Sequence, residues 1–119
     1  MKTLLVVDDE PDNIHVAHNI LAGEFRIRAA TSGEKCLKLL EEKPYPDLIL
    51  LDMMMPGIDG FGVLDRLKSN PELSAIPVIM VSGSSDPADR ERAVESGASS
   101  FLSKPVQPQQ LRELIDSFL

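Results

Sequence analysis

Three carboxylates, a hydroxyl and an ammonium group each stand directly after a short strand-like run. Asp8 and Asp9 follow Leu4-Leu5-Val6-Val7, Asp52 follows Leu48-Ile49-Leu50-Leu51, Ser82 follows Val78-Ile79-Met80-Val81, and Lys104-Pro105 follows Ser100-Phe101-Leu102-Ser103. If these runs are strands of one parallel sheet, all five groups meet on the rim formed by the carboxyl ends. Carboxylates gathered there raise one another's cost of ionising. A hard divalent cation relieves that cost, and Mg2+ suits a few carboxylates plus waters, with a position open to a phosphoryl oxygen. Lys104 can neutralise an anion, and Ser82 can hydrogen-bond it. The set suits phosphoryl transfer, in which positioning and charge neutralisation do most of the work. A carboxylate can itself be the nucleophile and form an acyl phosphate, and Asp52 alone has the other four groups placed around it.

The elements that must position these groups are legible as a pattern. The three solidly apolar runs, Leu4–Val7, Leu48–Leu51 and Val78–Val81, read as strands covered on both faces, as in a parallel sheet. Phe25-Arg26-Ile27-Arg28-Ala29 alternates and Ser100–Ser103 is short and polar at both ends, so both suit sheet edges. Pro11, after Glu10, opens a first helix carrying Ile14, Ala17, Ile20 and Leu21. Thr31 with Glu34 has the spacing of a capping box, ahead of Leu37 and Leu40. Asp59 caps a helix with Phe61, Leu64 and Leu67. Asp86-Pro87 starts a fourth helix and Gly97 stops it; it is poor in large apolar residues, with Ala93 and Val94 as its main anchors. Pro108 opens the last, striped by Leu111, Leu114, Ile115 and Phe118. Strand–helix five times over predicts an α/β fold. It is a doubly wound, five-stranded parallel sheet of the flavodoxin-like (βα)5 type, with strand order 2-1-3-4-5 and right-handed crossovers.

Composition narrows the function classes. The 119 residues suit one domain, 1–119. A formal charge of −7 argues against a nucleic-acid binder, because phosphate backbones select basic surfaces. No apolar run approaches the roughly 20 residues of a membrane span. The single cysteine, Cys36, excludes an internal disulfide, so a reducing, cytoplasmic setting is expected. Met53-Met54-Met55 reads as turn and core filler, His15 and His18 as a solvated helix face, and Cys36 as packing. Asp8-Glu10-Asp12 lacks the glycine and terminal glutamate of a calcium loop.

Four segments together resemble the response-regulator receiver domain, the phosphoacceptor half of two-component signalling. They are Val6-Val7-Asp8-Asp9-Glu10, residues 47–60 around Leu51-Asp52-Met53-Met54-Met55-Pro56-Gly57, Val81-Ser82-Gly83, and residues 97–105 ending in Phe101-Leu102-Ser103-Lys104-Pro105. The resemblance covers essentially the whole chain. It implies that Asp52 is the phosphoacceptor and that Asp9, Asp52 and the Met54 carbonyl ligate Mg2+, with Asp8 acting mainly through water. It implies that Ser82 and Gly83 sense the phosphoryl group, Lys104 binds it, Phe101 is the aromatic switch and Pro105 follows a cis bond. Serine in place of the commoner threonine at 82, Gly83 in place of alanine and Phe101 in place of tyrosine are departures of detail.

The implied partners are a histidine kinase or histidine phosphotransfer protein, and an output domain, partner protein or second copy that reads the remodelled surface. No enzyme activity is expected beyond self-catalysed phosphoryl transfer and slow autodephosphorylation. Met54 and Ser84 stand where the family's side chains border the hydrolytic water, and methionine offers that water no useful hydrogen bond, so slow loss of phosphate is expected. Two competing readings are a haloacid-dehalogenase-type aspartyl-phosphate phosphohydrolase and a dormant receiver acting only by interaction. The first wants its nucleophile after the first strand with an acid two residues on, whereas Asp52 follows the third and position 54 is methionine. The second is opposed by the intact acids and Lys104.

Overall fold

In the computed structural model, which describes residues 1–83 and 86–119, each strand is followed by a helix. The elements are β1 (Thr3–Val7), α1 (Pro11–Leu21), β2 (Arg26–Ala30), α2 (Gly33–Leu39), β3 (Leu48–Asp52), α3 (Gly60–Lys68), β4 (Val78–Ser82), α4 (Pro87–Glu95), β5 (Ser100–Ser103) and α5 (Pro108–Phe118). All strand pairs are parallel, in the order β2-β1-β3-β4-β5. The predicted architecture, order and edge strands are those observed. Among the described residues no helix is long and apolar enough to cross a membrane.

Successive strand residues point to opposite faces, so each apolar run feeds two cores. Leu5, Val7, Ile49, Leu51 and Met80 pack with Cys36 of α2, Phe61, Val63, Leu64 and Leu67 of α3, and Ala93 of α4. Leu4, Val6, Leu48, Leu50 and Ile79 pack with Leu21 of α1 and Leu111 and Ile115 of α5. Cys36 is fully buried, and that burial pushes its thiol up to about 12, which agrees with a packing role. His15 and His18 are exposed.

Two local expectations are corrected. Thr31 and Glu34 do not form a capping box. The N-cap is Ser32, whose side chain accepts from the Lys35 N–H, while Thr31 Oγ1 accepts from Lys35 Nζ at 3.1 Å. With the helix starting at Gly33, Glu34 stands at the second helical position, one short of where a capping-box glutamate belongs. The second concerns α4. Ala93 is fully buried, but Val94 is 58% exposed and anchors nothing. Two arginines contribute instead: the Arg92 guanidinium lies 3.8 Å from the Phe61 ring centroid, and that of Arg90 lies 5.3 Å from Phe101.

This reassigns the grip on α4 from an aliphatic side chain to a cation over a ring. A guanidinium–ring contact at a partly exposed site contributes about 0.5–1 kcal/mol. Arg92→Ala should cost about that much in urea unfolding, whereas Val94→Ala should stay within about 0.5 kcal/mol of the parent. A larger loss for Val94→Ala than for Arg92→Ala would contradict the reassignment.

Candidate functional site

The register of the sheet brings the acids together. Val7 of β1 lies opposite Leu51 of β3, so Asp8 and Asp52, one step further on, stand side by side at the rim. Both are 5% exposed. The Asp8 N–H donates to the Ala30 carbonyl at 3.1 Å, and its Oδ1 accepts from the Glu10 N–H at 2.9 Å, which orients the carboxylate. Asp9 is partly exposed beside them. Lys104 reaches in from the end of β5 and donates from Nζ to Asp8 Oδ2 at 3.1 Å and to Asp52 Oδ1 at 3.2 Å. Its own N–H donates to the Ser82 carbonyl at 2.7 Å, tying the lysine to β4.

Asp8, Asp9, Asp52 and Lys104 form one cluster. Ser82, 1% exposed, closes β4 next to it and pairs in register with Ser103, and Gly83 follows at the surface. Phe101 is buried two residues below Ser103, within the core on the α3/α4 face. The Lys104–Pro105 bond is cis, as expected. Met53 and Met55 fill the core as predicted, but Met54 does not: its side chain is 68% exposed. Ser84 lies outside the described residues. The contact of Arg90 with Phe101 was not foreseen, because nothing local in the sequence links residues eleven positions apart on a helix and a strand.

The carboxylate oxygens of Asp8, Asp9 and Asp52 lie within 4.8 Å of one another. Magnesium, with bonds of about 2.1 Å, spans ligand oxygens about 3–4 Å apart, so small side-chain rotations close the set around it. The donor set is all oxygen and hard. One ammonium against three carboxylates leaves two charges uncompensated, which is what a divalent cation supplies. Beside the acids, a cavity of about 410 Å3 is lined by Val6, Val16, Leu50 and Leu111 together with Asp52 and Lys104.

The electrostatics follow from burial. Loss of solvation, then the charge of Asp8, push Asp52 up to about 6, while Lys104 pulls the other way. Burial also works against the Lys104 charge, but its hydrogen bond to Asp8 and the two carboxylate charges outweigh that, and its pKa is raised.

In metal-free protein Asp52 therefore holds its proton to a higher pH than in the unfolded chain. Between about pH 4 and 6 the folded state binds more protons, and stability falls as pH rises through that window. A carboxyl-carbon NMR titration in excess chelator should show the Asp52 midpoint near 6. Lys104→Met should raise it, and Mg2+ should lower it; a midpoint unmoved by both changes would show that neither charge acts on Asp52.

The response regulator receiver domain model matches residues 4–116. A Vibrio cholerae protein named as a probable cyclic di-GMP phosphodiesterase is 41% identical over 117 residues, covering 98% of this chain and 26% of that protein. The chain spans about a quarter of the length of the first curated relatives it matches. Among solved structures, the signal receiver domain of a signal transduction histidine kinase from Syntrophus aciditrophicus superposes with a TM-score of 0.91 at 32% identity, over 100% of this chain and 90% of that one. The Mn2+-bound form of response regulator Rcp1 does so at 0.82 and 25% identity, over 98% and 91%. With the family model matching almost the whole chain, this protein belongs to the response regulator receiver domains, the phosphoryl-accepting switches of two-component systems.

Proposed function

We propose that Asp52 is the phosphoacceptor, charged by a histidine kinase or histidine phosphotransfer protein, and that residues 1–119 act as a single receiver domain. The observation that carries this is the Asp52 carboxylate, buried at the rim yet reached by Asp8, Asp9 and Lys104. In the transfer, an Asp52 oxygen bonds to phosphorus as the P–N bond of the donor phosphohistidine breaks. The donor imidazole leaves with that electron pair and takes up a proton. Asp52 must be ionised to attack, which holds for most molecules near neutral pH. Asp9, Asp52 and the Met54 carbonyl would hold Mg2+, with Asp8 acting through water; when bound, the cation neutralises charge between the acids and the incoming phosphoryl oxygens. Lys104 pairs with a phosphoryl oxygen, and Ser82 donates a charge-assisted hydrogen bond to another.

The output follows from what Ser82 vacates. Drawn toward the phosphoryl group, it leaves space for Phe101 to enter by a rotamer change, and the surface of α4, β5 and α5 is remodelled. Helix α4, whose one buried residue is the small Ala93, is weakly anchored and free to shift. Receiver domains interact with histidine kinases and output domains; here an output domain, a partner protein or a second copy of the chain would read that surface. Direct nucleic-acid binding is disfavoured by the charge of −7, and the buried lone cysteine is in keeping with the cytoplasm. The domain is read as a phosphoacceptor with slow autodephosphorylation, without a further enzyme activity. A haloacid-dehalogenase-type hydrolase is not favoured, because Asp52 ends the third strand and Met54 supplies no acid.

Acetyl phosphate with Mg2+ should add one phosphoryl group by intact mass. Asp52→Asn, or excess chelator, should abolish the gain; the same gain in Asp52→Asn, with the label on another acid, would displace Asp52 from its role. With a beryllofluoride mimic, amide exchange should change across α4, β5 and α5. Changes confined to α1 and α2 would rule out this output surface.

A further inference from the structure

Met54 sits in the segment 53–59 that joins β3 to α3, and two structural anchors bracket that segment. At its base, the Gly60 N–H donates to the Met53 carbonyl at 3.0 Å. Gly60 packs so closely that a Cβ there would meet the Asp52 carbonyl and Met53 Cα. At its far end the segment meets the first turn of α2. The Ile58 N–H donates to Glu34 Oε1 at 3.2 Å. Gly57, at φ +74°, lies under the same carboxylate, since a Cβ there would come within 3.0 Å of Glu34 Oε2. Gly33 admits the Ile58 backbone, for its own Cβ would meet the Ile58 carbonyl at 2.6 Å. Adjacent residues of α2 thus grip the far end of the segment: Gly33 by close approach, Glu34 by accepting the N–H.

We infer that Glu34 is a positioning residue of the metal centre, holding segment 53–59 so that the Met54 carbonyl is presented to the cation. This rests on the reading of Asp9, Asp52 and Met54 as Mg2+ ligands. Buried Met53 and Met55 hold the start of the segment, but the Met54 side chain, Pro56 and Gly57 are exposed, so the carboxylate contact fixes the stretch beyond Met55 and, with it, the arc on which Met54 is presented. Without that contact the segment samples more arrangements, and cation affinity falls by the fraction of molecules that no longer present the carbonyl.

The test is Mg2+ titration followed by backbone amide shifts, on the parent, Glu34→Ala, Glu34→Gln and Asp9→Ala. Glu34→Ala should bind Mg2+ roughly two- to tenfold more weakly, the range of one lost hydrogen bond. Glu34→Gln retains a carbonyl acceptor for the Ile58 N–H and should stay within about twofold of the parent. Ile58 amide exchange should quicken in Glu34→Ala and not in Glu34→Gln. Parent-like affinity in Glu34→Ala, with binding lost in Asp9→Ala, would overturn the positioning role while the metal reading stands. Equal weakening in both Glu34 variants would make the effect one of charge and would also overturn it. Undiminished affinity in Asp9→Ala would remove the metal reading, and this inference with it.

Discussion

Three carboxylates at one rim repel one another, and most of the site's construction contains that repulsion. Lys104 is the internal answer. It stands between Asp8 and Asp52 at 3.1 and 3.2 Å and ties together the ends of β1, β3 and β5. Its backbone N–H donates to the Ser82 carbonyl and adds β4, so four strands are tied through one lysine residue. Compensation remains incomplete. Burial and the charge of Asp8 still hold Asp52 at about 6, above the ordinary carboxylate range. Two negative charges remain over at the rim, and a divalent cation matches that deficit.

The surrounding fold is unequally rigid. Helix α3 buries Phe61, Val63, Leu64 and Leu67, which fixes the wall behind Asp52. Helix α4 buries Ala93 alone and rests its arginines on Phe61 and Phe101. A cation over a ring at a partly exposed site is a weaker hold than a set of interdigitated aliphatic side chains. The stiff side stands behind the acids, and the looser side packs on Phe101, where the proposed switch would act. On the opposite flank, the grip of α2 on Gly57 and Ile58 extends the stiff wall to the segment bearing Met54.

Much of this was readable in the residues themselves. Hydropathy separates the central strands, apolar on both faces, from the edge strands, alternating or short and polar-ended, and right-handed crossovers then select the order 2-1-3-4-5. The acids and Lys104 were readable because they stand at strand ends, whose convergence is a property of any parallel sheet. Errors arose where two local rules gave equally good fits. Thr31 and Ser32 are both capable caps; Ser32 is the one used, next to Gly33, which lies close against Ile58. Ala93 and Val94 are adjacent, and only the rotation of α4 on the sheet decided which faced inward.

The amino-acid sequence by itself therefore determined the α/β class, the strand order, and the identity and approximate meeting place of the charged groups. These depend on periodicity and on charge, which are local properties summed along the chain. Tertiary structure decided which oxygen Lys104 bonds, how far Asp52 is desolvated, and that Glu34 serves Ile58 rather than its own helix. It also decided that Met54 faces solvent while Met53 and Met55 are buried. Those outcomes turn on distances between groups tens of residues apart, and such distances exist only after the two cores have closed on the sheet.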